Sequence, residues 1–488
     1  MIDDLVPCIL KMNSIKLPLG VLSEEVNFAC EAKIWKEMEE RLRHTAPSEA
    51  CVFVLTRPSR GNSRTTIILR EIIWPRAGEV IATPHCLEIS ADYISRALDA
   101  AVDAGELTGI VLVHTHPDTE YGKGVGVFSY RDNWYETRLF PTITLQRPKA
   151  ISGSIVIGNE PHDVDARIWW DNGGGLGTQP AQVIRIVGPE VTFLETPHSV
   201  WSDHPDPEVM DRSTRLWGKE GRRKLQNIRV GIVGVGGTGS ITLFSLATMG
   251  VGKIRTWDKD IIKKENLHRM LGATKNMIGK LKVEALAPVI RAIATADPFE
   301  FEPIPTWGTT VEGLNGLKDC DVVFCCVDRL APRVPLDRFA YAHLIPIIDI
   351  ASWVHPSNRI IDAIMTHAHV LSPGIPCAWC KQTLTSLRLM REAQGNQQGI
   401  ENRAPYGIPL EQIDGVEPSV LALNLAGVGL ALLEFMQVAL KVTDRTPRDL
   451  KLFLPEWELD ESDLDSLTDC QTENDTGLGD TVRINPVY

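Results

Sequence analysis

Hydrophobic and polar residues repeat with two different periods in the first third of the chain. Residues 26–46, VNFACEAKIWKEMEERLRHTA, carry apolar side chains at helical spacing, whereas EACVFVLTRPS and RTTIILREII have the spacing of strands. An apolar run at 109–113 leads into a polar stretch that contains two histidines. The Gly-rich segment WWDNGGGLGTQPAQ then has the composition of a turn. These mixed periods predict an α+β domain over residues 1–175.

A different pattern begins at about residue 208. The stretch NIRVGIVGVGGTGSITLFSLATMGVGKIRTWDKD predicts a strand, a glycine turn, an apolar helix and a second strand that ends in acidic residues. Such alternation favours a Rossmann-like, mostly parallel sheet, which we expect to span 208–455. Between the two domains we expect a linker over residues 176–207, in which 181–207 predict a short strand pair and then a Pro/Asp-rich segment. Residues 456–488 form an acidic tail that we expect to be poorly ordered in isolation.

Composition narrows the class of protein. The 488 residues carry a formal net charge of −13, and 43% of them are hydrophobic, as in water-soluble globular proteins. The acidic balance argues against a dedicated nucleic-acid or membrane-surface binder. We find no 18-residue apolar run and no secretion signal, so we expect a cytoplasmic protein. Ten cysteines, mostly in apolar runs, predict reduced thiols rather than a disulfide framework.

The two histidines after the apolar run predict a metal site. His114 and His116 are one residue apart, so on a strand both side chains lie on one face and can share a cation. Asp132 can add a carboxylate oxygen, which leaves one position of a tetrahedral zinc open for water. Glu49, at the start of a predicted strand, is a candidate general base. Ser129 is a candidate donor to the oxyanion formed at an attacked carbonyl.

This set resembles the motif of the JAMM (JAB/MPN) metalloproteases. Glu49, His114-Thr-His116-Pro117 and Ser129-Tyr-Arg-Asp132 match the motif in order. The resemblance implies a JAB/MPN fold and zinc-dependent hydrolysis of peptide or isopeptide bonds at the C-termini of ubiquitin-like proteins. The segment between Pro117 and Ser129 is a few residues longer than is usual in the family. The loop over the substrate channel is therefore not predicted.

A second group of residues predicts a nucleotide site. The Gly-rich turn after the strand RVGIV opens a helix, where backbone N–H groups and the helix dipole favour phosphate. Such a turn is shared with dinucleotide oxidoreductases, but the amide, guanidinium and amine groups that follow are suited to a triphosphate. Carboxylates end two predicted strands, where ribose and Mg²⁺ would bind. The candidate residues are Gly234, Gly236, Gly237, Gly239, Asp258, Asn266, Arg269, Lys282 and Asp328.

These motifs resemble the adenylating domain of the ThiF, MoeB and ubiquitin-activating superfamily over about 212–440. The resemblance places Asp258 on the ribose of ATP, Asp328 on Mg²⁺, and Asn266, Arg269 and Lys282 on the phosphates. Arg329 stands where the family usually has asparagine. Arg212 matches an arginine that reaches across a dimer interface to the partner's ATP, so the resemblance also implies a homodimer.

The cysteines leave two questions open. Cys377-Ala-Trp-Cys380 matches half of the family's structural zinc site, but no second cysteine pair follows, only the single Cys470. Either other ligands, Cys470 among them, complete a zinc site or there is none. The family's thioester-forming members carry a nucleophilic cysteine before the last helix, and the segment NRAPYGIPLEQIDGVEPSV has none. Cys377 or Cys380 could serve instead, or the acyl-adenylate passes directly to a partner's nucleophile.

Both resemblances point to the C-terminal glycine of a ubiquitin-like protein. Our main hypothesis is a bifunctional enzyme of a bacterial-type ubiquitin-like pathway, which trims or removes that protein and also adenylates it with ATP for a conjugating enzyme. Family analogy alone suggests a role in antiviral defence. The alternative is activation of a sulfur-carrier protein for the biosynthesis of a thio-cofactor or metabolite. A non-catalytic scaffold is disfavoured because both sets of chemical side chains are present.

Overall fold

The chain forms two compact units in the computed structural model. Unit 1 comprises 1–186, 193–200 and 479–481, and unit 2 comprises 187–192, 201–478 and 482–488. The structure describes residues 21–83, 86–118, 122–173, 175–203, 208–209, 211–357, 360–393, 420–447, 449–454, 458–462 and 470–487.

Unit 1 is built on a nine-stranded sheet with the strand order β11-β10-β1-β3-β2-β6-β7-β8-β9. Two short strands, β4 and β5, pair separately. The strands are β1 (Glu25–Glu31), β2 (Cys51–Arg60), β3 (Arg64–Ile73), β4 (Val80–Thr83), β5 (Cys86–Ile89), β6 (Gly109–Thr115), β7 (Ser152–Ile157), β8 (Val164–Asp171), β9 (Leu176–Pro180), β10 (Val183–Val187) and β11 (Val191–Glu195).

Three helices accompany this sheet, and the first begins later than the sequence predicts. The helices are α1 (Ala32–Arg43), α2 (Ala91–Asp103) and α3 (Tyr130–Gln146). Residues 26–31, which we expected to be helical, belong to β1 instead. They pair in parallel with β3 and are almost wholly buried, so the ladder and burial on both faces outweigh the local helical spacing. Helical spacing is kept from Ala32 onward, where Trp35, Met38 and Leu42 form the buried stripe.

The sheet extends beyond the domain boundary that we expected at residue 175. Strand β9 pairs with β8, and the short strand pair predicted after residue 181 forms β10 and β11. The part of the expected linker that remains outside the strands begins at Thr196.

Unit 2 contains an eight-stranded sheet with the order β14-β13-β12-β15-β16-β17-β18-β19. The first five strands in that order are parallel and the last three are antiparallel, so the unit is an α/β domain with a parallel-rich, Rossmann-like sheet, as predicted. The strands are β12 (Arg229–Val233), β13 (Lys253–Trp257), β14 (Glu300–Ile304), β15 (Val322–Cys325), β16 (Ile347–Ser357), β17 (Ile360–Leu371), β18 (Asp449–Leu454) and β19 (Glu458–Ser462).

The helices of unit 2 cover this sheet. The opening helix predicted from DRSTRLWGKEGRRKL is present, but it breaks at Gly218, whose φ is 73° and ψ is 178°. The helices are α4 (Asp211–Asn227), α5 (Gly237–Thr248), α6 (Lys282–Ile293), α7 (Val311–Leu317), α8 (Arg333–His343), α9 (Ser386–Ala393), α10 (Leu421–Leu440) and α11 (Gln471–Asn474).

Helix α10 is long and apolar enough by composition to cross a membrane, and half of its most apolar window is buried. It lies against β16, β17 and α5. A methyl group at Gly427 would come within 2.3 Å of Thr366 Oγ1, so the helix backbone approaches the sheet closely. This is the packing of a core helix in an α/β domain.

The acidic tail contributes contacts to unit 2. Thr309 Oγ1 donates to the carbonyl of Val487 at 2.6 Å, and Arg338 Nε donates to Asp475 Oδ2 at 2.5 Å. The segment 470–487 therefore adds side chains to the core that includes Cys377 and Cys380.

Candidate functional site

The structure brings His114, His116 and Asp132 together. His114 lies in β6 opposite Cys51, and His116 follows the strand end. His114 Nε2 is 3.2 Å from Asp132 Oδ1, and His116 Nε2 is 3.4 Å from Asp132 Oδ2. Ligands about 2.0 Å from one tetrahedral ion lie roughly 3.3 Å apart. The three side chains therefore have the mutual spacing of zinc ligands.

Asp132 is held in place by the start of α3. Ser129 is the N-cap residue, and its Oγ accepts a hydrogen bond from Asp132 N at 3.2 Å. Asp132 Oδ2 accepts in return from Ser129 N at 2.5 Å, which completes a capping box. Ser129 thus has a structural role that the sequence analysis did not assign, and its hydroxyl proton stays free for the oxyanion role, which remains a prediction.

Glu49 lies beside the same three side chains. The register that pairs Cys51 with His114 continues through the hydrogen bond from Thr115 N to Ala50 O, which places Glu49 opposite His116. Burial raises the pKa of the Glu49 carboxyl, while the two imidazoles act in the opposite direction. The candidate base is thus half-buried next to the histidines, as its predicted role requires.

The side chains of this cluster fit a metal ion. Among the described residues, Nδ1 of the buried His114 has no hydrogen-bond partner, and Nε2 faces Asp132 Oδ1 at 3.2 Å. His116 Nδ1 contacts the carbonyl of Val125 at 3.0 Å, which orients its ring as carbonyls orient metal-bound histidines. Burial favours the neutral form of Asp132, but the two imidazoles outweigh it and hold its pKa well below the usual range. Two imidazoles and an ionised carboxylate are a zinc-binding set.

The long loop after Pro117 folds back toward the histidines. Asp118 Oδ1 accepts from Gly124 N at 2.8 Å, and a methyl group at Gly124 would come within 1.9 Å of the His116 carbonyl oxygen. Residues 119–121 lie outside the described part of the chain. Exposed apolar side chains follow this loop and continue onto α3, namely Val125, Val127, Tyr130 and Trp134.

In unit 2 the Gly-rich turn joins β12 to α5. Gly234 has a φ of 87°, and a methyl group there would lie 2.9 Å from the Cys326 carbonyl oxygen. A methyl group at Gly239 would lie 1.9 Å from the Gly234 carbonyl oxygen, whereas one at Gly236 would meet nothing within 4 Å. Gly237 is the first residue of α5. The shape of the turn therefore requires glycine at 234 and 239, whereas Gly236 faces open space.

Asp258 and Lys282 meet at this turn. Asp258 Oδ2 accepts from Val235 N at 2.8 Å, and Lys282 Nζ lies 3.4 Å from the same oxygen. Lys282 Nζ also donates to Asp260 Oδ2 at 2.9 Å. Burial raises the pKa of Asp258, and Lys282 opposes that shift. The structure thus places the predicted ribose and phosphate residues at one edge of the sheet.

The other predicted nucleotide residues lie on exposed or half-buried segments. Asn266 ends a short 3₁₀ helix, and its Oδ1 accepts from Lys263 N at 2.9 Å. Arg269 is half-buried and has no ion pair among the described residues. Asp328 is exposed three residues after β15, where Cys326 N donates to Val233 O beside the glycine turn. Arg212, in the first turn of α4, is also exposed.

Cys377, Cys380 and Cys470 converge with a residue that the sequence analysis missed. Cys377 Sγ lies 3.3 Å from Cys470 Sγ and 3.6 Å from Cys380 Sγ, and Cys380 Sγ is 3.4 Å from Glu473 Oε1. Sulfur ligands of a tetrahedral zinc lie roughly 3.8 Å apart. The spacing Cys470-x-x-Glu473 repeats that of Cys377-x-x-Cys380, so it could have indicated the fourth ligand.

The cysteine thiols that the structure describes are buried in both units. Eight cysteines in the described part of the chain have free thiols, and all eight are buried. Burial raises the pKa of Cys326 to about 12 and holds that of Cys377 well above its usual range. The segment 402–419, where the family carries its nucleophile, lies outside the described residues.

Comparison with known proteins identifies a ThiF-family domain over residues 210–397, which lie within unit 2. The tRNA threonylcarbamoyladenosine dehydratase 2 of Saccharomyces cerevisiae is 36% identical over 145 residues, which are 29% of this chain and 32% of that protein. The adenylyltransferase and sulfurtransferase uba4 of Emericella nidulans is 34% identical over 123 residues, 24% of each chain. The chain thus spans a third or less of the length of these relatives.

A solved structure of E. coli MccB with MccA-N7isoASN has a TM-score of 0.43 and 16% identity to this chain. It aligns over 55% of this chain and 75% of its own.

Proposed function

We propose that the protein is a bifunctional enzyme that adenylates the C-terminal glycine carboxylate of a ubiquitin-like protein and hydrolyses bonds at that same terminus with zinc. The observation that carries the proposal is the presence of two separate groups of side chains, each suited to one of the two reactions. One is His114, His116 and Asp132 with Glu49 beside them. The other is the glycine turn with Asp258 and Lys282 in a ThiF-family domain.

Adenylation requires a site that neutralises and aligns phosphates. The open side of Gly236 and the N-terminus of α5 offer backbone N–H groups to the phosphates of ATP. Lys282 donates to Asp260, whose side chain is half-exposed, so an entering phosphate can replace that carboxylate as its partner. Arg269 supplies a second cation, and Asp328 offers an exposed carboxylate to Mg²⁺.

Hydrolysis requires a positioned water, a base and an oxyanion donor. Bound zinc supplies a water whose pKa lies near neutrality. Glu49, which interacts electrostatically with the side chains of all three ligands, would take a proton from a water held there and pass it to the leaving amine. The Ser129 hydroxyl can donate to the oxyanion while its oxygen caps α3.

The acyl-adenylate is proposed to pass directly to a nucleophile on a conjugating enzyme. None of the eight cysteines that the structure describes in full has an exposed thiol, which disfavours a thioester on Cys377 or Cys380. Their convergence with Cys470 and Glu473 supports a structural zinc site instead. We also propose a homodimer, in which the exposed Arg212 reaches the partner's ATP.

The second candidate function is activation of a sulfur-carrier protein. It is favoured by the similarity to the adenylyltransferase and sulfurtransferase uba4 of Emericella nidulans. The two functions share the adenylation step and differ in what attacks the adenylate.

ATP–pyrophosphate exchange with ubiquitin-like proteins that end in glycine tests the adenylation step, and non-reducing intact mass follows the product. We expect exchange that falls at least tenfold in Asp328→Ala, together with an adduct only when a conjugating enzyme is added. Exchange followed by a thiocarboxylate mass, with no such adduct, would establish the sulfur-carrier function. Absence of exchange with every glycine-ending partner would contradict both.

A further inference from the structure

Chemistry-bearing side chains that belong to none of the sites described above form a row across four strands of unit 2. Cys325 in β15 pairs with Asp349 in β16, and Asp349 pairs with His369 in β17. The register of β17 with β18 continues to Asp449, whose Oδ2 is 3.8 Å from His369 Nε2. Directly paired residues share one face of a sheet, and His367 lies on that face two residues from His369.

The two imidazoles of this row have no hydrogen-bond partner in the part of the chain that the structure describes. Their rings are stacked with centroids 3.9 Å apart and an interplanar angle of 10°. All four ring nitrogens are buried and lack a hydrogen-bond partner among the described residues. His369 is fully buried, and His367 is 8% exposed. Buried polar atoms nearly always have a hydrogen-bond partner. Four neighbouring nitrogens without one therefore indicate that a ligand binds between them.

The protonation state of these histidines suits a cation. Burial lowers the pKa of His367 to about 3 and holds that of His369 well below its usual value. Both rings are therefore neutral at physiological pH, and neutral imidazole is the form that binds metals.

The carboxylates of the row are each fixed by a buried cation. Arg333 Nη1 donates to Asp349 Oδ1, and Lys381 Nζ donates to Asp449 Oδ1 at 2.6 Å. Asp449 Oδ2 is buried and makes no hydrogen bond to any residue that the structure describes. Partners of this kind orient the carboxylates of metal sites and leave a second oxygen for the ion.

We infer that Asp349, His367 and His369 form a transition-metal site inside unit 2, with Asp449 as a nearby further oxygen ligand. The ligand atoms of the first three residues all lie within 4.8 Å of one another. Two imidazoles and a carboxylate favour Zn²⁺ or a similar transition metal over Mg²⁺ or Ca²⁺, which prefer oxygen ligands alone. The inference does not depend on either proposed activity.

The proposed metal site is positioned to stabilise the segment after β15 that carries Asp328. Arg333, which holds Asp349, also donates through Nη2 to the carbonyl of Val327 at 2.6 Å. A metal that fixes Asp349 would therefore fix the guanidinium and the backbone just before Asp328. The sequence signal for the site is His367-Ala-His369, the same His-x-His spacing as His114 and His116.

The test compares zinc stoichiometry in three full-length chains after chelation, reloading with Zn²⁺ and dialysis. We expect His369→Gln to bind one zinc fewer per chain than the wild type. His343→Gln, which alters an equally buried histidine of α8 outside the row, should bind as many as the wild type. An unchanged zinc content in a folded His369→Gln would overturn the inference.

If His369→Gln does not fold, crystals of the zinc-loaded wild type decide the matter through anomalous scattering at the zinc edge. The inference requires a peak within bonding distance of His367 and His369. A map with no peak between those two side chains would refute it.

Discussion

Two glycines of the nucleotide turn differ in what an added methyl group would meet. At Gly239 it would clash with the Gly234 carbonyl oxygen at 1.9 Å, and at Gly236 it would enter open space. We expect Gly239→Ala to lower the free energy of unfolding by about 2–4 kcal/mol, and Gly236→Ala to change it by less than about 1 kcal/mol. Chemical denaturation of both variants measures this, and equal destabilisation would contradict the assigned turn geometry.

Single substitutions can also distinguish the role of Glu49 from that of the metal ligands. Glu49→Gln removes the base but none of the three ligands, so it should retain zinc while hydrolysis falls roughly 10²–10⁴-fold. Asp132→Asn should instead lower the bound zinc by one equivalent. Zinc content measured beside peptide-bond cleavage distinguishes the two, and loss of zinc in Glu49→Gln would show that Glu49 is a ligand rather than a base.

At the scale of elements, α3 carries both a metal ligand and the group that anchors the helix. Glu136, one turn after Asp132, is buried and accepts from Ser154 Oγ, Arg167 Nε and Trp169 Nε1 at 2.8–2.9 Å. Glu136→Ala leaves the Arg167 guanidinium buried without its carboxylate, so we expect a loss of about 3–5 kcal/mol in stability.

Urea unfolding followed by tryptophan fluorescence checks this value, with Glu160→Ala as the control. Glu160 forms an exposed pair with Lys123 at 3.1 Å, and its removal should cost less than about 0.5 kcal/mol. If the two variants are equally stable, Glu136 does not anchor α3.

The segment that begins with Cys470 is expected to depend on zinc. Cys470→Ser should remove one zinc and lower the melting temperature, because metal binding at a structural site contributes to folding stability. Cys320→Ser, a buried thiol outside the cluster, should keep the zinc content. Calorimetry with and without chelator provides the measurement, and a chelator-insensitive melting temperature would argue against a structural zinc.

The sequence predicts best those features that are determined by residues close together in the chain. The prediction of His114 and His116 rests on the strand period and that of Asp132 on its place in the Ser-x-x-Asp motif, and the structure brings the three together. For Glu473 the sequence offers only the spacing Cys470-x-x-Glu473; that it meets Cys377 and Cys380 depends on how a segment nearly a hundred residues later docks. The onset of α1 was missed because pairing with β3 overrides local helical spacing in residues 26–31.

At the scale of the whole molecule, each constellation lies within one unit. Glu49 and the zinc ligands belong to unit 1, and the glycine turn, Lys282 and Asp328 belong to unit 2. The claim of two activities in one chain therefore predicts that each can be removed without the other.

The most direct test assays Glu49→Gln and Asp328→Ala side by side for pyrophosphate exchange and for cleavage of a ubiquitin-like protein extended beyond its terminal glycine. We predict that Glu49→Gln loses cleavage and keeps exchange, and that Asp328→Ala loses exchange and keeps cleavage. Loss of both activities in either variant, or a wild type that lacks one of them, would contradict the proposal of two independent active sites.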